Sequence, residues 1–336
     1  MVDIKYIARK CSVSTATVSR VLNHSKPVRP ETEKKVLEAV KKYNYLPNSS
    51  ARCLSGKKSN LLGFLLDNNI NQYQLHLFRE INTCSSRTGY DCIIRYCDSS
   101  FENKLEALKE LEWRGIQVIF TMFLLDPEEE QYVKEHTRLH ICNMQTPEIG
   151  LDLAANNQRA VYHGVNYLIE RGHTKIGAIF YDDNIDGSFL TAREIGFRKA
   201  LEHKGIGVQE KYICYVKNEV KREKISKLME KLILPYDYPT AIFCCSDEIA
   251  IETMLWLMKH GYGVPEYVSV IGFDGIDVGE MLTPALTTIR QPIRYQAKQI
   301  VQNMLKLAGE NYNFQTETEE GYRLIVREST DVVNPK

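Results

Sequence analysis

Eight short apolar runs dominate the chain between residues 61 and 274, and helical segments separate most of them. Each run has the length and the β-branched and aromatic content of a buried strand. Because a helix between two strands makes a right-handed crossover, this alternation predicts parallel, doubly wound sheets of the α/β class. Eight strands could form one large sheet or two smaller ones. The predicted strands are LLGFLLD (61–67), DCIIRYC (91–97), QVIFTMF (117–123), LHICNM (139–144), KIGAIFY (175–181), YICYV (212–216), TAIFCC (240–245) and VSVIGFD (268–274).

The first 47 residues have a different pattern, with three short amphipathic helices in place of strands. The first helix covers residues 3–10, the second follows the N-cap Ser14 and ends at Asn23, and the third extends from Pro30 to Tyr43. Each has one apolar face, so the three helices can share a small core. Two short helices separated by three or four residues predict a helix-turn-helix unit.

The charge distribution supports a nucleic-acid role for this segment. Residues 1–58 contain 13 Lys and Arg against four Asp and Glu, a net charge of +9, which leaves −9 for the rest of a neutral chain. A basic segment on an acidic body is typical of a phosphate-binding module joined to a domain that does not bind DNA. Charge alone would equally suit a solvated basic face without function.

In a helix-turn-helix unit the N-terminal end of the second helix enters the major groove. Thr15, Ala16 and Arg20 are therefore the predicted base readers, and Arg20 can donate two hydrogen bonds to guanine O6 and N7. The alternative for Arg20 is an exposed surface ion pair. Contacts to phosphates, or capping and packing roles, are predicted for Thr17, Ser19, Asn23 and Tyr45.

Seven runs in order along the chain resemble the lactose/galactose repressor (LacI/GalR) family. They are STATVSRVLN, VRPETEKKVLEAVKKYNYLPNSSARCL, YLIERGHTKIGAI, TAREIGF, SDEIA, VSVIGFD and LTTIRQP, and together they span essentially the whole sequence. The resemblance implies a helix-turn-helix headpiece (1–47), a hinge helix and linker (48–59) and a two-lobed, periplasmic-binding-protein-like domain for effector binding and dimerisation (60–331). The implied lobes cover about 60–153 with 289–318, and 154–286 with 319–331, with crossings near 151–156, 286–292 and 318–322.

The resemblance also implies that two hinge helices pair in the minor groove at the operator centre. Leu54 would insert into a pyrimidine–purine step, usually CpG, and bend the DNA; packing against the core is its alternative role. Asn48, Ser50 and Ala51 complete the implied DNA contacts. The headpiece departs from the family where Tyr6 replaces an Asp and where Arg29 replaces the Ser that commonly caps the third helix.

An effector site is predicted in the two-lobed domain, since ligands bind beyond the carboxyl ends of parallel strands. Arg193 and Asp274 stand where the family has its ligand-clamping arginine and a ligand-binding acid. Asp247 has a second interpretation, which is to cap the helix that follows it. Further predicted contacts are Tyr73, Asn143, Ser246, Asp247 and Gln291.

A sugar or sugar derivative is the ligand that the resemblance implies. Two features depart from sugar-binding relatives: residues 217–224 lack the aromatic side chain that can stack on a sugar ring, and Asn143 replaces a frequent Asp. The sequence therefore leaves the effector's identity, and the direction of its effect on DNA binding, open.

Several protein classes are excluded by missing motifs. The nine cysteines include no CxxC pair with accompanying ligands, and neither a nucleotide-binding loop nor a hydrolase motif is present. We therefore expect no metal, no cofactor and no enzyme activity. No apolar run reaches the roughly 18 residues of a membrane span, and the charged start MVDIKYIARKC is unlike a signal peptide, which predicts a cytoplasmic protein.

Taken together, the sequence predicts a transcriptional repressor that binds a near-palindromic operator as a homodimer and responds to a small carbohydrate effector. Two alternatives stay open. In one, a protein co-regulator on the lobes replaces the small effector. In the other, the two-lobed body is a sugar receptor of the periplasmic type.

Overall fold

The computed structural model describes most of the chain, which forms two compact units, Met1–Ser59 and Asn60–Lys336. The described residues are 4–23, 27–43, 59–98, 100–123, 125–146, 149, 151–182, 189–216, 222–233, 237–314 and 321–333. No helix among them is both long enough and apolar enough to cross a membrane.

The first unit consists of three helices, α1 (Ile4–Cys11), α2 (Thr15–Asn23) and α3 (Pro30–Lys42). They pack around a small apolar core, as their one-sided hydrophobic patterns predict. This arrangement confirms the helix-turn-helix headpiece. The buried core residues are Ile7, Ala8, Cys11, Val18, Val21, Val36 and Ala39.

The two departures from the family pattern have visible effects in this unit. Arg29 precedes α3 without making a side-chain cap, and Pro30 begins the helix instead with its fixed φ. Tyr6 packs edge-to-face on Tyr43 with ring centroids 5.4 Å apart. An aromatic pair thus joins α1 to the end of α3.

The second unit contains two sheets, each with its own core. The first lobe has a parallel four-stranded sheet in the order β2-β1-β3-β4, with helices on both faces. Its strands are β1 (Leu61–Asp67), β2 (Asp91–Cys97), β3 (Val118–Thr121) and β4 (His140–Asn143). Its helices are α4 (Gln72–Ser86), α5 (Phe101–Trp113), α6 (Pro127–His136) and, after the chain returns, α11 (Ile293–Leu307).

The second lobe has a six-stranded sheet in the order β10-β9-β8-β7-β5-β6, in which only β10 is antiparallel to its neighbour. Its strands are β5 (Ile176–Tyr181), β6 (Ile213–Val216), β7 (Ala241–Cys244), β8 (Ser269–Asp274), β9 (Thr287–Arg290) and β10 (Arg323–Ile325). Its helices are α7 (Leu153–Glu170), α8 (Phe189–His203), α9 (Arg222–Ile233) and α10 (Asp247–Lys259).

All eight predicted strands are confirmed, and they form two sheets rather than one. β1 and β2 have the predicted bounds, and the other six begin or end within two residues of them. The sequence prediction omitted β9 and β10, which are four and three residues long. β9 has only one large apolar residue, in contrast to the apolar runs of the other four-residue strands, and it lies in a segment that was expected to connect the lobes.

Candidate DNA-binding helix and effector site

The N-terminal half of α2 presents a polar surface away from the core of the first unit. Thr15, Ala16 and Arg20 are exposed, whereas Val18 and Val21 are buried against the other two helices. Ser14 caps the helix as predicted, with its Oγ accepting a hydrogen bond of 3.1 Å from the backbone of Thr17. The three predicted base readers therefore share one accessible face.

The structure is less informative about the other predicted DNA contacts. Thr17 and Ser19 are half-buried on α2, and Asn23 is the last residue of that helix. The remaining contacts lie outside the described residues and stay predictions: Tyr45, Asn48, Ser50, Ala51 and Leu54.

In the second unit, a chain of buried hydrogen bonds connects the two lobes. Tyr73 Oη on α4 donates to Gln296 Oε1 on α11 at 2.9 Å. Gln296 Nε2 donates to Gln291 Oε1 at 3.1 Å, and Gln291 Nε2 donates to Asp274 Oδ1 at 2.7 Å. The Tyr322 hydroxyl also donates to Gln291, at 3.4 Å. We refer to these five residues, together with Arg193, as the cleft network.

Arg193 lies at the second-lobe end of the cleft network. Its side chain is 5% exposed, and its Nη2 is 3.8 Å from Asp274 Oδ1. The guanidinium carbon stands 3.9 Å from the ring centroid of Phe273, and Nη1 donates to the carbonyl of Cys245. Stacking and hydrogen bonding hold the guanidinium plane in a fixed orientation. A fixed arginine beside a carboxyl can bind hydroxyl and carbonyl groups through several directed bonds.

Burial strongly affects the acidity of the Asp274 carboxyl. Burial raises the pKa of Asp274 to about 7 despite the opposing effect of the Arg193 charge, and Asp247 adds to the increase. The carboxyl therefore titrates near neutrality and can either accept or donate a hydrogen bond. Burial also raises the pKa of Tyr322 to about 12 and the pKa of Tyr73 well above its usual value, so both phenols stay neutral.

The backbone at Asp274 is in an unusual conformation, with φ +124°. Residues other than glycine rarely adopt such angles, and the steric cost of this conformation is of the order of 1–3 kcal/mol. Asp247 stabilises the turn that follows, because its Oδ2 accepts 2.8 Å hydrogen bonds from the backbones of Gly275 and Ile276. Its Oδ1 accepts a third from Thr288 at 2.5 Å.

These contacts replace the capping role that was the alternative interpretation of Asp247. Ser246 is the N-cap of α10, and its Oγ accepts from the backbone of Ile249 at 3.4 Å. The Oγ of Ser246 also lies 3.2 Å from the hydroxyl of Tyr181. Asp247 is fully buried and is bonded to the turn after β8, so the structure places it behind Asp274.

Asn143 is the one predicted effector residue that the structure separates from the others. It ends β4, and its Oδ1 accepts a 2.8 Å hydrogen bond from the backbone of Gln145. With Thr121 and Thr146 it lines a cavity of about 570 Å³ that contains no member of the cleft network.

Sequence reasoning missed four residues at this site, namely Gln296, Tyr322, Tyr181 and Phe273. Gln296 carried a usable signal, because it is a polar residue on the buried face of an amphipathic helix beside Ala297 and Ile300. No sequence signal marked Tyr322, since it adjoins a three-residue strand without a clear hydrophobic pattern.

Comparison with known proteins agrees with this geometry. Residues 3–48 match the model for bacterial regulatory proteins of the lacI family, and residues 165–330 match the model for a periplasmic binding protein-like domain. Catabolite control protein A of Priestia megaterium is 30% identical over 302 residues, which cover 87% of this chain and 88% of that protein. The chain belongs to the LacI family of bacterial regulatory proteins.

Other relatives extend the LacI-family match to the whole chain. The transcriptional repressor PurR of Vibrio vulnificus is 28% identical over 338 residues, covering 99% of this chain and 100% of that one. The crystal structure of the Lac repressor dimer bound to operator and the anti-inducer ONPF has a TM-score of 0.79 at 22% identity, over 98% of this chain and 99% of that one. Membership makes this LacI-family chain a DNA-binding transcription regulator and not an enzyme.

Proposed function

We propose that the chain is a transcriptional repressor whose affinity for its operator is controlled by a small molecule bound at the cleft network. The observation that carries the proposal is the hydrogen-bonded path from Tyr73 in the first lobe to Asp274 in the second. A ligand that bonds to Tyr73 or Gln296 and also to Asp274 interacts with both lobes at once, so its binding changes the relative stability of their arrangements.

Two observations support DNA binding through α2. The exposed face carries Arg20 and two short side chains that admit close approach to base edges. The leading segment has the positive charge that phosphate contacts need. One headpiece reads only a few bases, so a homodimer on a near-palindromic operator supplies both affinity and spacing. Its hinge would place Leu54 at a central CpG step.

The effector class that we propose is a sugar or sugar derivative. The cleft network offers two amides, two phenols, a guanidinium and a carboxyl, which together match a ligand with several hydroxyl groups. Asn143 would contact such a ligand only if the end of β4 moved towards the cleft network.

We also propose that the chain divides into a headpiece (1–47), a hinge helix and linker (48–59) and a two-lobed domain (60–331).

A thermal-shift screen with sugars, sugar phosphates and nucleobases tests the proposal, because a specific ligand stabilises the folded state by mass action. Arg193→Ala should abolish both the ligand-induced shift and the effector response while operator binding persists. Arg198→Ala is the matched control, since this arginine lies on the same helix but pairs with Glu194 and Glu210 at the surface. An unchanged response in Arg193→Ala would show that the effector binds elsewhere.

A further inference from the structure

We propose that the second unit contains a separate site for a small phosphate-bearing anion, on strands β9 and β10 where the chain passes between the lobes. Four arginines line this pocket, which we call the arginine pocket: Arg79 on α4, Arg290 on β9, Arg294 on α11 and Arg323 on β10. Its volume is about 460 Å³, which is within the range of small-molecule sites.

The strand register places like charges directly opposite each other in the pocket. Arg290 and Arg323 are paired residues in the antiparallel β9–β10 ladder, so their side chains leave the sheet on the same face. Like charges at such positions destabilise a strand pair. A bound anion would remove this repulsion, because each guanidinium can donate two parallel hydrogen bonds to phosphate oxygens.

Among the described residues, the four arginines also lack the carboxylate partners that other arginines of this unit have. No carboxylate among the described residues lies within 4.0 Å of any of them, whereas Arg198, Arg222 and Arg327 each form ion pairs. The described carboxylates that line the pocket are Glu80 and Asp277, and Asp277 faces His76 at 3.9 Å. The described arginine and carboxylate side chains of the lining therefore carry an excess of two positive charges.

The position of the pocket connects it to both lobes. Arg79 and Arg294 belong to helices of the first lobe, and Arg290 and Arg323 belong to the sheet of the second. Gln291 lines the pocket and also donates to Asp274 in the cleft network. An anion that contacts all four arginines would thus bridge the lobes beside the effector site. Its binding does not depend on the proposed function.

Calorimetric titration of the full chain with inorganic phosphate, at constant ionic strength in chloride, tests this site. We expect one phosphate per chain, and at least a tenfold loss of affinity in Arg290→Gln/Arg323→Gln. The matched control is Arg87→Gln/Arg138→Gln, which removes the same charge from exposed positions outside the pocket. Equal phosphate affinity in the pocket variant and in the wild type would overturn the proposal.

A melting experiment checks the same claim without relying on binding heats. Phosphate should raise the Tm of the wild type and of the control, but not that of the pocket variant. Without phosphate the pocket variant should melt no lower than the wild type, because it loses a repulsive pair. A phosphate shift of the same size in the pocket variant would contradict the site.

Two further measurements are needed. One distinguishes a phosphate ester from free phosphate as the ligand, and the other distinguishes the arginine pocket from the effector site. In the Arg193→Ala background, tighter binding of glucose 6-phosphate than of inorganic phosphate would assign the pocket to a phosphate ester, and the reverse order would assign it to the free ion. Phosphate binding that persists in Arg193→Ala would separate this pocket from the effector site. Failure of both small probes, with binding of a phosphoserine peptide, would assign the surface to a protein and overturn the small-ligand proposal.

Discussion

At the scale of single residues, Asp274 combines three properties that are rarely found together. Its carboxyl is buried, it faces a buried arginine, and its backbone has a left-handed φ. The fold holds the residue there through Asp247, which bonds the next two backbone N–H groups. The position of the carboxyl is therefore fixed before any ligand arrives, which reduces the entropy that binding must offset.

The raised pKa of Asp274 predicts a pH-dependent stability. Because the folded-state pKa of about 7 exceeds the ordinary value of 3.8, this residue's contribution is greatest below about pH 4 and is lost as the pH rises to about 7. The side chain of Asp274→Asn cannot titrate. Between pH 4 and 8, the free energy of unfolding of this variant relative to that of the wild type should therefore rise by up to about 4 kcal/mol. Urea unfolding at several pH values measures this difference.

The control for that series is Asp91→Asn, which changes an exposed carboxyl at the start of β2. Its unfolding free energy should follow the wild-type profile. Parallel profiles for Asp274→Asn and the wild type would mean that the Asp274 carboxyl is ionised throughout this range.

Arg20 should carry sequence information rather than general affinity. Arg20→Ala should cost about 1–3 kcal/mol on the preferred operator and relax the preference at one base pair. Lys41→Ala, on the exposed side of α3, removes the same charge and should weaken binding to all duplexes equally. Binding measured on an operator library decides between these results, and a uniform loss with Arg20→Ala would assign the residue to a phosphate.

At the scale of secondary-structure elements, the chain separates into parts with strong and weak local signals. Strands such as β1 are continuous apolar runs between polar residues, and α2 has an N-cap and a regular apolar stripe, so both could be predicted. The cleft network could be predicted only in part, since Tyr73 and Gln296 meet through the packing of α4 on α11. That contact joins residues 223 positions apart, and no local pattern encodes it.

The cap of α2 should determine how well the recognition helix is formed. Ser14→Ala removes the hydrogen bond to the backbone of Thr17 and should destabilise the helix by about 1 kcal/mol. Ser14→Asn keeps a capping oxygen and should restore stability, which makes it the matched control. Amide hydrogen exchange in α2 reports the effect, and equal exchange in the alanine and asparagine variants would show that the cap contributes nothing.

At the scale of the second unit, the two lobes meet through a few polar contacts beside the cleft network. Glu248 Oε1, at the start of α10, accepts a 3.0 Å hydrogen bond from the backbone of Gln72, the first residue of α4. Ile276 extends from the second lobe into the apolar core of the first. The contact between the lobes thus depends on a helix N-terminus and a few apolar side chains, among them Ile276 and Ile251 of α10, which a modest binding energy can rearrange.

Glu248→Ala should favour an open arrangement of the lobes, because the N-terminus of α4 then loses an acceptor from the opposite lobe. We expect a larger radius of gyration without ligand and weaker effector binding. Glu252→Ala is the control, since Glu252 is on the same helix but pairs with Arg222 within one lobe. Small-angle scattering measures the opening, and identical radii for the two variants would show that Glu248 does not hold the lobes together.

The backbone of Asp274 also bears on how such a regulator evolves. Glycine adopts φ +124° without steric cost, so Asp274→Gly would relieve strain while deleting the carboxyl that faces Arg193. The same change removes the acceptor of the Gln291 hydrogen bond and the charge opposite Arg193, so the proposed effector site would lose a central group. At this position the backbone favours glycine while the proposed effector site needs a carboxyl, so the demands of the local conformation and of binding oppose each other.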